Sequence, residues 1–340
     1  MLRRISRGLL AMLASAGVIT LLAVAPAGAT ASASYSGNTS DGGRWVADVP
    51  SPWNGTLLLY SHGFGPLQAA DAPDPTTKQA LLDRGYGLAG SSYDPSGSWW
   101  ALASALRDQF QTLWTVERMI LPSAPKRVYA LGTSMGGLIS ALEDQHSNGR
   151  LDGALTTCGL VAGANNLNQY QLDGEYAISQ LLAPSQNIQL ANFTVGPPTF
   201  ADSGKSAAQL LAAAQAAQTT PQGRARLSLA MAFLNVSPWG GATIPTIYDY
   251  VGQEQGQYQD YFTGSFTAIA FIVTGREQIE AAARGEGSGT VGVNFARLLH
   301  QSSYYPEVKA LYNEAGLSLK DDLAALAQNA NLRPDKAAFR

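Results

Sequence analysis

Between Arg44 and Gly163 short apolar runs of strand character alternate with longer runs of helical periodicity, and this alternation limits the fold more than any other feature of the chain. The strand-like runs are RWVADVP, GTLLLYSHG, YGLAGSSYD, KRVYALG and LDGALTTCGLVAG. The first two read as neighbours joined by the Pro/Asn/Gly turn of residues 51 to 55. Among the later ones lie three helical runs. TTKQALLDRGYG has Thr76 or Thr77 as N-cap and Gly85 as its stop. In SWWALASALRDQFQTLWTVERMI, Leu102, Leu106, Phe110, Leu113 and Val116 recur at helical spacing, and MGGLISALEDQHSNG follows later. Alternation of this kind predicts a mostly parallel sheet with helices on both faces.

After Gly163 the pattern changes to helix and loop: NQYQLDGEYAISQLLAP, SAAQLLAAAQAAQ, PQGRARLSLAMAFLN, SFTAIAFIVTGREQIEAAARG, VNFARLLHQSSYYPEVKALYNEAG and LKDDLAALAQNAN. A short strand near Phe271 is the one exception expected there. A chain of 340 residues, 46% hydrophobic and 14% charged, buries one large domain or a domain with a lid. Residues 30–163 therefore read as an α/β core and residues 164–340 as a helical lid or cap region. The Ala-rich run has high helix propensity and no repeat period, which suits a plain lid helix.

The N-terminus reads as a secretory signal peptide over residues 1–29. Arg3, Arg4 and Arg7 precede an apolar stretch from Leu9 to Val24, and Ala27-Gly28-Ala29 forms a small-residue cleavage site. The competing reading is a membrane anchor, since the stretch is not far short of the ~18 residues that span a bilayer. Pro26 and the small residues after it favour cleavage, hence export, with no stable membrane anchor. The arginine pair fits Sec and Tat export alike. A net charge of −3 with 22 scattered Lys and Arg argues against a nucleic-acid partner and for a small-molecule or acyl substrate. Cys158 is the single cysteine, so an intramolecular disulfide is ruled out, and its apolar surroundings predict a core position. The sequence shows no Cys/His cluster of metal-ligand spacing, and no cofactor is implied.

Gly132-Thr133-Ser134-Met135-Gly136 matches G-x-S-x-G, with the strand of Lys126 to Leu131 before it and a helix beginning near Met135 after it. A serine lifted above a sheet on so sharp a turn sits in a strained backbone conformation. Side chains two residues to either side would clash, so glycine is needed there. The helix N-terminus turns free N–H groups and its positive dipole end toward the serine, where an acyl-transfer oxyanion would form. Independently, the run LLLYSHGFG ends in His62-Gly63-Phe64-Gly65, the place of an oxyanion loop.

With these two motifs the chain resembles the α/β-hydrolase superfamily, and within it secreted actinobacterial serine hydrolases with a helical lid. The resemblance covers residues 44 to 163 well and the helical region loosely. It implies Ser134 as nucleophile, the backbone N–H groups of Met135 and Phe64 as oxyanion donors, and His62 as a loop-ordering residue, with an exposed turn histidine as the alternative. It also implies an acid and a histidine after Ser134, on loops following later strands, and here the sequence departs from the pattern. His146 reads as a helix-end residue interacting with the dipole, and His300 as a lid histidine. Asp173 and Glu175 could reach the pocket, but read equally well as solvated carboxylates at a helix start. Base and acid are left unassigned. The expectation is a sheet incomplete at its C-terminal edge in a chain shortened relative to a working hydrolase. Such an edge is a template for aggregation or for pairing with another chain.

The aromatic run IYDYVGQEQGQYQDYF, with Tyr248, Tyr250, Tyr258, Tyr261 and Phe262, reads as contact between lid and sheet in preference to a substrate pocket. Trp99 and Trp100 are candidates for the pocket wall or the core. The function expected is a secreted hydrolase cleaving a carboxylic ester through a Ser134 acyl-enzyme. The alternatives are a serine peptidase of the same fold and a non-catalytic relic or binding module; a further one is that a partner chain completes the sheet and supplies the histidine.

Overall fold

The computed structural model describes residues 31–193, 200–240, 243–263 and 267–335. The expected signal peptide lies outside them. Strands β1 (Ala31–Asn38), β2 (Arg44–Ser51), β3 (Thr56–Ser61), β4 (Gly87–Ser91), β5 (Arg127–Thr133) and β6 (Gly153–Thr157) form one sheet in the order β1-β2-β4-β3-β5-β6. The strands β4, β3, β5 and β6 run parallel, while β1 and β2 are antiparallel to their neighbours. The expectation that β2 and β3 lie side by side is corrected, because β4 stands between them, pairing Leu88 with Leu58 of β3 and with Asp48 of β2. All five residues of β4 are buried, so it needs a partner on each side and displaces the hairpin that the turn suggested. The sequence reading also missed β1. Its ASASYSGN run is small, polar and exposed, and its structure comes from pairing with β2 along its full length.

Three helices pack on the sheet: α1 (Pro75–Leu82), α2 (Leu102–Met119) and α3 (Met135–Gln145). Asp74, not Thr76 or Thr77, caps α1, accepting hydrogen bonds from both threonine N–H groups. On one face Leu113 and Val116 of α2 pack against Leu57, Leu59, Ala89, Val128 and Ala130. On the other, Leu82 meets Leu58 and Leu88. The strand expected over residues 151–163 contracts to β6, which among the described residues pairs with β5 alone. Leu155 is 58% exposed. Cys158, expected in the core, is exposed with φ 48°, because the chain turns there at the end of an uncovered strand to bring Gly159 against Gly137.

Beyond β6 come α4 (Ala164–Leu182), α5 (Ala201–Ala217), α6 (Pro221–Leu234), α7 (Tyr250–Phe262), α8 (Ala268–Ala283), α9 (Phe295–Gln301), α10 (Tyr305–Glu314) and α11 (Leu319–Asn329). They share a core of their own, with Leu172, Tyr176, Leu210, Met231, Val273, Phe295 and Tyr312 buried together. From Leu227 to Leu234 every residue of α6 is buried, as expected of a helix enclosed on all sides. The short strand expected near Phe271 is instead part of α8, whose buried Ile269, Ile272, Val273 and Ile279 follow helical spacing. Tyr258, Tyr261 and Phe262 pack on one another inside this helical core rather than on the sheet, and Tyr248 is exposed.

Asp173 and Glu175 lie in the middle of α4 and are buried, which corrects their reading as solvated carboxylates at a helix start. Glu175 is ion-paired with the fully buried Arg276 of α8, which also donates to the carbonyl of Leu190 at 2.8 Å. Burial pushes Glu175 up to about 6 and Asp173 up to about 7. The partner of Glu175 is 101 residues away in sequence, so local pattern gives no sign of it.

The uncovered side of β6 predicts self-association. Leu155→Lys, which places a charge on that face, is expected to lower light scattering at a given concentration. Equal scattering by both proteins would show that this face takes no part.

Candidate active site

Ser134 joins β5 to α3 with φ 59° and ψ −122°, a conformation that costs a non-glycine residue about 1–3 kcal/mol. Backbone packing holds it there. A Cβ at Gly132 would lie 1.8 Å from the carbonyl oxygen of Gly136, and one at Gly136 would lie 1.9 Å from that of Ser61. No side chain fits at either place. The Ser134 N–H donates to the carbonyl of Thr157 at 3.0 Å, and its own carbonyl accepts from Gly137 N at 2.9 Å. The serine thus stands at the N-terminus of α3, beside the N–H of Met135 and the positive end of the helix dipole.

The segment His62-Gly63-Phe64 leaves β3 directly against this turn: a Cβ at Gly63 would be 3.2 Å from the Thr133 carbonyl and 3.5 Å from Ser134 Cβ. Polar groups from three elements fix its base. Ser61 Oγ donates to Glu143 Oε1 of α3 at 2.8 Å and accepts from Gln109 Nε2 of α2 at 2.6 Å. Gln109 also donates to the Tyr60 carbonyl and accepts from the N–H of Ser91, which joins the ends of β3 and β4. Tyr93 donates its hydroxyl proton to the His62 carbonyl at 3.1 Å, and its ring stacks on the imidazole with 4.3 Å between centroids.

His62 is largely enclosed, not an exposed turn residue. Its Nδ1 lies 2.8 Å from the Gly63 carbonyl, its Nε2 is buried without a partner among the described residues, and burial holds the imidazole below its usual pKa. His146 caps the far end of α3, with Nδ1 2.8 Å from the Leu142 carbonyl, and His300 packs on Tyr305 in a groove between α9, α10 and α11. Among the described residues no histidine or carboxylate hydrogen-bonds to the Ser134 hydroxyl, and no group of three His, Cys, Asp or Glu suits a metal ion. The structure therefore brings Ser134, Met135 and Phe64 together and leaves His146, His300, Asp173 and Glu175 engaged elsewhere.

No family model matches the chain. It is 23% identical over 326 residues to the o-phthalyl amidase of Xanthobacter agilis, covering 89% of this chain and 69% of that protein. Among solved structures, brefeldin A esterase aligns with 54% of this chain and 52% of its own at 14% identity and a TM-score of 0.32. The rice cell wall degrading esterase LipA of Xanthomonas oryzae aligns with 47% of this chain and 53% of its own, at 20% identity and a TM-score of 0.29. The chain thus spans about half the length of these esterases.

The fold is a mixed, mostly parallel six-stranded sheet with helices packed on it.

The sequence reading missed most of the groups that roof the Ser134 turn. The ring of Phe64 lies 6.0 Å from that of Trp99 and 5.3 Å from that of Phe271 on α8, and Trp99 lies 4.9 Å from Phe200. Gln278 of α8 accepts from the Trp99 N–H at 3.0 Å and, through its carbonyl, from Ser98 Oγ at 2.5 Å. Trp100 points the other way, into a core with Met135, Leu138, Ile139 and Ile279. Of this roof the sequence offered Trp99 as a pocket-wall candidate and Phe64 for its backbone N–H alone. Phe200 and Phe271 carry no motif, and only the docking of α8 brings them in.

Two consequences can be measured. Gly136→Ala is expected to cost about 3 kcal/mol or more, read as a lower denaturant midpoint, since its methyl group would meet fixed backbone. The second concerns Glu143, which burial pushes up to about 8 from an ordinary 4.5. The folded protein keeps this proton over a range in which the unfolded chain has lost it. Its contribution to stability is therefore full below about 4.5 and lost as pH rises through about 8. Glu143→Gln, which cannot ionise, is expected to flatten that part of the stability profile; an unchanged slope would place the titration elsewhere.

Proposed function

We propose that this chain is a serine hydrolase that cleaves a carboxylic ester. The observation that carries the reading is Ser134, held at φ 59° at the head of α3 by Gly132 and Gly136, where no side chain fits, beside the N–H of Met135 and against Gly63 of the segment that leads into Phe64. Ser134 Oγ attacks the acyl carbon, and the carbonyl oxygen becomes an oxyanion that accepts hydrogen bonds from the N–H groups of Met135 and Phe64. Collapse of this intermediate expels the alcohol and leaves an acyl-enzyme. Water then attacks the same carbon, releasing the carboxylic acid and restoring the serine. His62 orders the oxyanion loop through its contacts with Gly63 and Tyr93. The group that takes the Ser134 proton is not assigned. The helices after β6 act as the lid, and residues 1–29 direct export.

A second reading, cleavage of an amide, is favoured by the similarity to the o-phthalyl amidase. The same nucleophile and oxyanion donors serve either leaving group.

Exposure of the purified chain to a fluorophosphonate probe tests the proposal, with Ser134→Ala as control. Rapid labelling confined to Ser134 is expected. A folded chain that stays unlabelled would overturn it in favour of a non-catalytic binding module. Matched esters and amides of one acyl group then separate the two readings by their kcat/KM values.

A further inference from the structure

Between α9, α10 and α11 lies a groove of about 810 Å³ that the chemistry at Ser134 does not use. None of its lining residues belongs to the Ser134 turn or to the His62-Gly63-Phe64 segment. Three helix faces build it. Phe295 and Leu299 of α9 are buried and supply an apolar floor. Leu319, Leu323 and Ala327 of α11 recur every fourth residue, so they share one side of that helix and make an apolar wall. Tyr305, Lys309 and Asn313 of α10 have the same spacing and make a polar one. Ala296 and Ala324 line the groove as well and are exposed, so short side chains leave open a space that longer ones would fill.

The charge along this groove has one sign. Lys320, next to Leu319 on α11, joins Lys309 in the lining, and no Asp or Glu does. Glu314 and Asp321, the acids adjacent in sequence to Asn313 and Lys320, lie outside it. Neither lysine forms an ion pair among the described residues. The chain as a whole carries −3, so the groove is a cationic place on an acidic protein. A lone solvated lysine says nothing about a ligand. Two unpaired ammonium groups beside an open apolar floor complement a molecule with one anionic end and a hydrocarbon body. The volume lies within the roughly 300–1,000 Å³ of small-molecule sites. Tyr305 and Asn313, on the same side of α10 as Lys309, add hydrogen-bond donors for the oxygens of a carboxylate.

We infer that this groove binds an amphiphilic carboxylate of the fatty-acid class, with its anionic end at Lys309 and Lys320 and its hydrocarbon chain along Phe295, Leu299, Leu319 and Leu323. The site is separate from Ser134, and its occupancy needs no turnover.

Isothermal titration of the full chain at low ionic strength tests this with octanoate and 1-octanol, which share one hydrocarbon chain. The proteins compared are the natural chain, the double variant Lys309→Gln with Lys320→Gln, and Ala324→Trp. All three positions are exposed, so the fold tolerates the changes. Octanoate is expected to bind the natural chain more tightly than octanol does, and to lose affinity as salt is added. The double variant is expected to weaken octanoate roughly 10-fold and to leave octanol unmoved. Ala324→Trp, which fills the groove, is expected to abolish the binding of both. Octanoate that does not bind, that binds no tighter than octanol, or whose affinity is indifferent to either change overturns the inference.

Discussion

The first turn of α3 rests on the end of β3 with no side chain between them. Gly136 lies so close to the Ser61 carbonyl that a methyl group would stand 1.9 Å from it, and Gly132 approaches Gly136 as closely from below. Every other part of the site is placed by this contact. It forces the turn at Ser134 into its strained conformation and sets the His62-Gly63-Phe64 segment beside it. It also brings Glu143, two turns further along α3, within reach of Ser61. The buried Gln109, Ser61 and Glu143 then fasten the same junction with hydrogen bonds. Burial raises the pKa of the Glu143 carboxyl, and the hydrogen bonds from Ser61 and Gln109 offset only part of that rise.

The helix α8 makes the second junction, between the helical part and the sheet. Along its length Phe271 and Gln278 face the roof of the nucleophile turn, and Ile279 enters the core beneath it. From the same helix Arg276 pairs with Glu175 of α4, and Glu280 accepts the N–H groups of Asn192 and Phe193. Burial and the neighbouring Glu286 raise the pKa of Glu280. An enclosed ion pair of this kind adds little net stability over an apolar pair, but losing one partner costs about 3–5 kcal/mol. Its effect here is to set the rotation and height of α8, and so the position of the aromatic roof.

The sequence was most informative where backbone geometry demands a particular residue type. The glycines at 132 and 136 could be read in advance because no side chain fits those places. Alternating periodicity likewise announced the central strands and the helices on them. It failed where structure comes from a distant partner. β1 has no apolar pattern and forms through pairing with β2, while β4 entered between β2 and β3 because a fully buried strand needs two neighbours. Asp173 and Glu175 were left between pocket and solvent because Arg276 is remote in sequence, and the short strand expected near Phe271 gave way to the helical spacing of the run around it. Cys158 was placed in the core on composition alone, although the strand before it is open to solvent.

Hydrogen bonds tie the Ser134 turn to the edge of the sheet. The Ser134 N–H is held by the carbonyl of Thr157, the last residue of β6, and among the described residues that strand pairs with β5 alone, with α3 packed on it. The serine turn is therefore tied to an edge strand. A load on the outer side of β6, whether another strand or a helix laid across Leu155, would reach the serine backbone through Thr157, so the reach of the hydroxyl and the state of the sheet edge form one mechanical variable.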